Sequence, residues 1–220
     1  MTASNLIPKI AIFGASGFAR EVADICLALG CQDIVFLDVN PAQKTYFGYP
    51  LYGDSETSRL AAQGWLFALG IGDNQLRQKI YSRFSHLPCP NLVHPSATFG
   101  AFGQQEPLQG KKGNIICAGT HFTNQITFGN FGIFNLNATV GHDCLIEDFI
   151  NLAPGVNISG NVHLEKGVYI GTNAVVLQGK DIDHKMRIGS FATVGAGAVV
   201  TNDVALRTTV VGIPARPLDR

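Results

Sequence analysis

The sequence predicts a chain of two parts, a parallel α/β unit followed by a parallel β-solenoid. Within the first 92 residues, short apolar runs alternate with a glycine-rich turn and helical patterns, which is typical of a parallel sheet. From Phe128 to Val200, apolar residues recur every six positions. Hydrophobic residues make up 46% of the 220 residues and charged residues only 15%, so both parts can bury a core. We therefore predict two domains, residues 1–92 and 93–220.

The first part has the element order of a parallel α/β unit. Three apolar runs predict buried strands, at residues 9–13, 33–37 and 65–71. Between the first two runs, apolar residues recur at helical spacing, at Val22, Ile25, Cys26 and Leu29. This spacing predicts a helix that ends near Gly30. After the third run, Asp73 or Asn74 is placed to cap a helix that extends to about Phe84.

A glycine-rich turn, Gly14-Ala15-Ser16-Gly17, joins the first strand to the first helix. Such a turn brings backbone N–H groups and a helix N-terminus close to a phosphate. Asp38 ends the second strand, at the position where a contact to a ribose or a base is expected. The spacing is GxxG and not the full GxGxxG, so a tight turn that binds nothing remains an alternative.

The second part follows a six-residue period. Nine apolar residues stand at steps of six, at Phe128, Phe134, Val140, Ile146, Leu152, Ile158, Leu164, Ile170 and Val176. The residue two positions before each of them is small or β-branched. Since residues i and i+2 of a strand share a face, each hexad predicts one short strand with two inward side chains, followed by a corner. Coils of such strands bury their apolar faces only by stacking.

Two interruptions and the corners complete this pattern. The series breaks at Gly179 and Lys180 and is predicted to resume at Ile182, Ile188, Val194 and Val200. A polar stretch from Gln104 to Gly113 is predicted to be a loop that projects from the first coils. Gly, Asn and Asp occupy many corners, which is typical of left-handed backbone positions.

The charge and cysteine content excludes several classes of function. Sixteen basic residues balance 16 acidic ones without a basic run, which argues against nucleic acid or an anionic membrane as a partner. No apolar stretch approaches the length of a membrane-spanning helix, and Met1 to Pro8 lack the parts of a signal peptide. Five irregularly spaced cysteines indicate reduced thiols in a cytoplasmic protein. No set of His, Cys and Asp has ligand spacing, so no metal is predicted.

The order of motifs along the whole chain resembles that of one enzyme family. The motifs are GASGFAREVAD from Gly14, FLD at 36–38, IGDNQLR at 71–77, LVHPSA at 92–97, GHDCLIEDFINLAPG at 141–155 and VVGIPARPL at 210–218. They resemble the sugar acetyltransferases that join a Rossmann-like N-terminal domain to a left-handed β-helix of hexapeptide repeats. That family includes N-acetyltransferases of nucleotide-linked 4-amino-4,6-dideoxy sugars, whose products enter surface glycans such as the lipopolysaccharide O-antigen, and sialic acid O-acetyltransferases.

The resemblance implies how the two substrates are divided between the two parts. A homotrimer is implied, with each active site between neighbouring helices and acetyl-CoA along the coils. The acetyl-CoA contacts are placed at Asn151, Gly160, Thr172 and Ala196. The nucleotide-linked amino sugar is placed on the N-terminal domain, at Gly14, Ala15, Ser16, Gly17, Asp38 and Gly72.

Transfer of an acetyl group to an amine needs a base, and His142 is the candidate. The ordinary pKa of an imidazole, about 6.5, suits proton transfer near neutral pH. His142 stands at a corner between the inward residues Val140 and Cys144, so its side chain is expected to point outward. Asp143 is expected to orient the imidazole, the role of its counterpart in the family.

One position departs from the family pattern. Where some relatives have a histidine that contacts the acetyl carbonyl, this chain has Asn151. An amide N–H can make the same contact and stabilise the oxyanion. The alternative is that Asn151 is a corner residue with left-handed backbone.

The sequence therefore predicts an acetyl-CoA-dependent N-acetyltransferase of a nucleotide-linked amino sugar. O-acetylation of a sialic acid is a nearer alternative, because it would use the same base with a hydroxyl acceptor. A non-catalytic trimeric scaffold is an alternative of a different class. The sequence leaves the nucleotide base open among UDP, dTDP and GDP.

Overall fold

A computed structural model describes residues 7–102 and 106–218 of the chain. The described residues divide into two compact units, one up to Pro95 and one from Ser96 onward. The predicted absence of a signal peptide concerns residues that lie mostly outside the described ones, as do Gln104 and Gln105 of the predicted loop. No helix in the described ranges has the length and apolarity that a membrane crossing requires.

The first unit is a five-stranded sheet with helices. Its elements are β1 (Lys9–Phe13), α1 (Gly17–Ala28), β2 (Asp33–Asp38), β3 (Thr45–Tyr46), β4 (Tyr49–Gly53), a 3₁₀ turn (Asp54–Glu56), α2 (Thr57–Ala62), β5 (Leu66–Leu69) and α3 (Asn74–Arg83). The strand order is β3-β4-β2-β1-β5, with parallel pairing throughout except between β3 and β4. The three strands and two helices that the sequence predicts are confirmed. Asp73 caps α3, since its carboxylate accepts a 2.6 Å hydrogen bond from the Leu76 N–H.

The antiparallel β3–β4 hairpin and α2 were not predicted from the sequence. Both hairpin strands are half-exposed at most positions, and α2 has only six residues. Neither element carries a periodic apolar pattern long enough to indicate its type.

The second unit, which we call the repeat region, is built from short strands. They are β7 (Thr98–Phe99), β8 (Ile115–Ile116), β9 (His121–Phe122), β10 (Ile133–Phe134), β11 (Thr139–Val140), β12 (Leu145–Ile146), β13 (Asn151–Leu152), β14 (Asn157–Ile158), β15 (Val162–Leu164), β16 (Tyr169–Ile170), β17 (Val175–Val176), β18 (Met186–Ile188), β19 (Thr193–Val194), β20 (Val199–Val200), β21 (Thr209–Val211) and β22 (Arg216–Pro217); β6 (Leu92–Val93) precedes them.

Except for β22, which pairs antiparallel with β21, the strands of the repeat region pair in parallel into three stacks. We call them sheet C (β8, β10, β13, β16, β19, β21), sheet D (β7, β9, β11, β14, β17, β20) and sheet E (β12, β15, β18). The chain visits C, D and E in turn, and Thr139 pairs with Asn157 while Leu145 pairs with His163. Each passage through the three sheets is one coil, and each coil consists of three hexads.

The two inward positions of each hexad form the core, as the sequence predicts. All nine large apolar residues from Phe128 to Val176 are at most 2% exposed. The small or β-branched residues two positions before them are buried as well, among them Ala138, Cys144 and Val168. Four phenylalanine rings fill the first coils, with ring centroids of Phe122 and Phe134 5.0 Å apart. The apolar core thus runs along the axis of the stacked coils.

Left-handed backbone recurs at one corner position in each hexad. The positive φ angles fall at Gln125, Phe131, Asn137, Asp143, Phe149, Gly155, Asn161, Gly167 and Asn173. The sequence correctly predicts Gly, Asn and Asp at such corners. It does not predict Phe131 and Phe149, whose rings stack with centroids 5.2 Å apart. Ring stacking between successive coils offsets the backbone cost at these two corners.

The prediction that the hexad series resumes at Ile182 is wrong. Leu164 of sheet E pairs with Ile188, which lies four hexads further along the chain, whereas Ile146 pairs with Leu164 at an advance of three hexads. Ile182 is 61% exposed and lies outside any strand. The segment between β17 and β18 is therefore longer than the segment between β14 and β15 by six residues, which is one hexad and leaves the six-residue count intact. We call residues 177–185 the inserted loop.

A second excursion occurs in the first coil. Phe99 pairs with Phe122, which lies nearly one hexad further along the chain than the regular advance of a coil, so extra residues are accommodated between β7 and β8. The described part of the predicted 104–113 loop forms turns and no strand. The loop therefore lies where the sequence predicts it.

Candidate active site

The imidazole of His142 lies at the corner between sheets D and E. Its Nδ1 and Oδ2 of Asp143 are 2.7 Å apart, and 53% of the side-chain surface is exposed. The left-handed backbone of Asp143, φ 57°, turns its carboxylate back toward the preceding residue. A carboxylate accepts the hydrogen bond from Nδ1–H, which leaves the lone pair on Nε2. The corner thus holds a basic nitrogen on a half-exposed ring, in the tautomer that a general base needs.

The room for this ring comes from glycines in stacked coils. A methyl group placed on Gly160 would lie 2.5 Å from Nε2 of His142 and 2.6 Å from Cε1. One placed on Gly141 would lie 2.6 Å from the backbone N of Gly160. The backbone N–H of Asn161 donates to the His142 carbonyl at 2.9 Å. Gly141 and Gly160 therefore let two coils approach and let the ring lie over the next coil.

Cys144 stands two residues from His142, yet it is not a suitable nucleophile. The residue is 2% exposed and its thiol faces the core, where it donates a hydrogen bond to the Ser159 carbonyl at 3.2 Å. Burial raises the pKa of the Cys144 thiol to about 11. A thiol that stays protonated and inward cannot accept an acetyl group, so the corner favours direct transfer to an acceptor.

The structure separates the residues predicted to contact acetyl-CoA. Gly160 lies beside His142, whereas Thr172 and Ala196 lie on the corner between sheets C and D, both exposed. The two corners flank opposite sides of sheet D. Asn151 lies in β13 of sheet C and is 7% exposed. The alternative of a left-handed corner at Asn151 is therefore wrong, because the residue belongs to a strand, and its role as an oxyanion donor stays a prediction.

A separate cavity of about 300 Å³ lies in the first unit. Its lining includes the predicted residues Gly14, Ala15, Ser16, Asp38 and Gly72. It lies at the carboxyl ends of β1, β2 and β5, where the chain passes from one side of β1 to the other, and open α/β sheets bind ligands at such a point. Gly17 begins α1 and does not contribute to the lining.

The turn after β1 has little space for side chains. Gly14 has φ 105°, and a methyl group on it would lie 2.9 Å from the Gly70 carbonyl oxygen. Ser16 precedes α1 in extended backbone, and its hydroxyl does not cap the helix. The first N–H groups of α1 are therefore available to an anion or to water.

Three charged residues near this cavity were not predicted. Asp54 and Arg83 both line it and pair at 3.0 Å. Arg77, which is 1% exposed, donates to the carbonyls of Ile71 and Gly72 at 3.0 and 3.1 Å. Burial lowers the pKa of Arg77 to about 9, so the side chain keeps its charge at neutral pH and fixes the loop that carries Gly72. The position of Arg77 within the IGDNQLR motif was the available signal.

Three other histidines of the repeat region have local partners. Thr98 Oγ1 lies 2.6 Å from His121 Nδ1, His163 Nε2 lies 2.8 Å from Glu147, and His184 Nδ1 lies 2.8 Å from Asp181. Across the described residues, no group of three or more His, Cys, Asp or Glu side chains could hold a metal ion. All five cysteines lie within the described ranges, and all are buried thiols.

Comparisons with known proteins find matches to a part of the first unit and to nearly the whole chain. A family model described as the PglD N-terminal domain matches residues 9–84. Over 217 residues the chain is 30% identical to GDP-perosamine N-acetyltransferase of Escherichia coli O157:H7, and the match covers 95% of this chain and 96% of that protein.

Solved structures of similar proteins match nearly the whole chain. A mutant of perosamine N-acetyltransferase from Caulobacter crescentus, in complex with CoA and GDP-perosamine, has a TM-score of 0.87 at 28% identity, over 97% of this chain and 98% of that one. The acetyltransferase domain of PglB from Neisseria gonorrhoeae has a TM-score of 0.85 at 31% identity, over 96% and 100%. A structure of that domain contains acetyl coenzyme A.

Proposed function

The chain belongs to the family of nucleotide-sugar N-acetyltransferases and is an acetyl-CoA-dependent acetyltransferase, and from this premise we propose that it acetylates the amino group of a nucleotide-linked 4-amino-4,6-dideoxyhexose. The observation that carries the proposal is the exposed His142–Asp143 pair, in which the carboxylate holds Nδ1 and leaves the lone pair on Nε2. A non-catalytic scaffold would not require an exposed histidine that is held in one tautomer. The full-length relative acts on a nucleotide-linked amino sugar, which favours an amine over the hydroxyl of a sialic acid as acceptor.

In the proposed reaction, His142 removes the proton that the amine loses as it attacks the thioester carbon. The C–N bond forms, the C–S bond breaks, and the CoA thiolate leaves and takes up a proton. Asp143 holds the imidazole and stabilises the imidazolium while the proton resides on it. A neutral amine is already a nucleophile. The base therefore serves mainly to remove a proton from the amine nitrogen as the C–N bond forms.

The proposal assigns the two substrates to different units. The nucleotide is placed in the 300 Å³ cavity of the first unit, where Gly14, Ala15 and Ser16 offer backbone N–H groups and Asp38 offers a carboxylate. Acetyl-CoA is placed along the coils of the repeat region, in contact with Gly160, Thr172 and Ala196. The family resemblance implies that these coils form a left-handed β-helix, that three chains assemble, and that the product serves surface-glycan synthesis in the cytoplasm; we include these points in the proposal.

The test is release of free thiol from acetyl-CoA in the presence of a panel of acceptors. We expect release with nucleotide-linked 4-amino sugars and none with sialic acids. His142→Ala should lower kcat by roughly 10²–10⁴-fold, the usual effect of losing a general base. Asp143→Asn should lower kcat less, because it removes only the orienting partner.

A matched control is available in His184→Ala. His184 also pairs through Nδ1 with an aspartate and is 69% exposed, but it lies in the inserted loop and not at the corner. It should keep near-normal turnover. If His142→Ala behaves like His184→Ala, the assignment of the base is wrong, and if no acceptor on the panel releases thiol, the proposed activity is wrong.

A further inference from the structure

The inserted loop begins and ends on the coil that lies over His142. The N–H of Gly179 donates to the Gly160 carbonyl at 3.1 Å, and the N–H of Met186 donates to the Asn161 carbonyl at 2.9 Å. A methyl group on Gly179 would overlap the Asn161 carbonyl oxygen. The loop is thus closed at its base over one dipeptide, Gly160-Asn161.

That dipeptide is the one on which the His142 ring lies. The N–H of Asn161 donates to the carbonyl of His142, and Gly160 leaves the space for the imidazole. Three layers therefore stack at one corner: the Gly141–Asp143 segment, the Gly160-Asn161 dipeptide, and the base of the inserted loop. The inserted loop therefore lies close enough to affect the position of the His142–Asp143 pair.

One side chain of the loop reaches across the middle layer. The Nζ of Lys185 donates to the backbone carbonyl of Asp143, 42 residues earlier in the chain. The lysine side chain is half-buried, whereas Lys180 at the other end of the loop is exposed. The N–H of Asp143 donates to the Asn124 carbonyl at 3.2 Å. The backbone of Asp143 is therefore held by a backbone bond on one side and by an ammonium group on the other.

We propose that Lys185 is a positioning residue for the His142–Asp143 pair. By fixing the Asp143 carbonyl it fixes the left-handed corner backbone that directs the carboxylate toward Nδ1 of His142. This inference rests on the proposed function, since it assumes that His142 is the base.

The expected effect of losing this contact is kinetic. A small misplacement of a catalytic group lowers the rate of the chemical step without weakening substrate binding. Lys185→Met keeps most of the aliphatic length and removes the donor, so it should lower kcat roughly 5- to 50-fold with little change in either KM. Lys185→Arg keeps a donor and should recover a large part of the rate. Lys180→Met removes the same charge from the same loop and should leave kcat unchanged.

Combining Lys185→Met with His142→Ala separates positioning from other roles, with thiol release from acetyl-CoA as the readout. If Lys185 acts through His142, Lys185→Met should have no further effect on kcat once the imidazole is gone. If Lys185 instead binds the anionic part of acetyl-CoA, the KM for acetyl-CoA should rise in both backgrounds, and the inference is wrong.

Full activity of Lys185→Met would also overturn the inference while leaving the proposed function intact, provided that His142→Ala is inactive. Activity in His142→Ala would instead show that His142 is not the base, and only a wild-type chain that releases no thiol with any acceptor would remove the proposed function. Thermal unfolding of each variant shows whether a lost rate reflects a lost fold.

Discussion

The two ring nitrogens of His142 have different surroundings, and this asymmetry comes from three neighbouring residues. Asp143 supplies the acceptor for Nδ1, Gly160 supplies the space around Nε2, and Gly141 lets the two coils come close. The sequence predicts the first of these from adjacency and from the family resemblance. It places Gly160 at the acetyl-CoA instead, because the space that a glycine leaves becomes visible only when its three-dimensional neighbour is known.

Gly160 offers a test of this asymmetry, because its φ is not in the left-handed region and an alanine there adds no backbone strain. The added methyl group would meet the His142 ring at 2.5 Å, so in Gly160→Ala the imidazole must swing outward. We expect kcat to fall at least roughly 10-fold, since the base is displaced from its aligned position. Steady-state thiol release measures this effect.

The same substitution in the His142→Ala background supplies the control for Gly160→Ala. With no ring to displace, the added methyl group should change neither kcat nor the melting temperature. In the double variant, a higher KM for acetyl-CoA would report the proposed contact of Gly160 with that substrate, whereas a further fall in kcat would mean that the methyl group does not act through the His142 ring.

At the scale of elements, the six-residue period predicts most strands of the repeat region but does not reveal the inserted loop. Inward residues such as Val140 and Ile158 are predictable because each hexad must bury two side chains. The same count does not reveal the inserted loop, because the loop adds six residues, one hexad, to the segment between two strands. Ile182 therefore fits the six-residue spacing although its side chain is exposed. The charged run from Lys180 to Arg187, in a chain with only 15% charged residues, was the signal for a loop.

In the first unit, the buried strands were predictable from the sequence and a contact between distant residues was not. β1, β2 and β5 are buried apolar runs and were predictable, and so was the position of Gly14 at the carboxyl end of β1. The Asp54–Arg83 pair was not, because it joins residues 29 positions apart that meet only through the sheet order. Contacts of this kind require the order of strands, which one sequence does not give.

At the scale of the whole molecule, the two units are expected to carry separate substrates, and Asp38 tests this separation. Asp38 lines the cavity of the first unit at the end of β2, and it does not belong to the repeat region. Asp38→Ala should raise the KM for the nucleotide-sugar and leave the KM for acetyl-CoA nearly unchanged. Asp33→Ala, at the opposite end of the same strand and exposed, is the matched control.

Either of two results would contradict the separation of substrates. If Asp38→Ala weakened acetyl-CoA and spared the sugar, the assignment of the two units would be reversed. If it changed neither constant, the glycine-rich turn would be only a turn, and an acceptor without a nucleotide would be favoured.

The proposed assembly of three chains, which the family resemblance implies, is compatible with the positions of the two corners. His142 and Gly160 lie on one side of sheet D, and Thr172 and Ala196 lie on the other, so a ligand that meets both corners is held between two copies of the chain. Three copies in a closed ring supply three such grooves with one repeated interface. Light scattering should therefore give about three times the chain mass of 23.5 kDa.

Complementation between inactive chains tests this arrangement more sharply than mass does. His142→Ala lacks the base, and Ala196→Trp should block the other corner, so each variant alone should be nearly inactive. When the two are co-expressed and assemble at random, roughly a quarter of the grooves combine an intact His142 from one copy with an intact Ala196 corner from its neighbour. Thiol release should recover to about that fraction of the wild-type rate. No recovery in a mixed trimer would mean that both corners serve the reaction within a single chain, and the shared groove would be wrong.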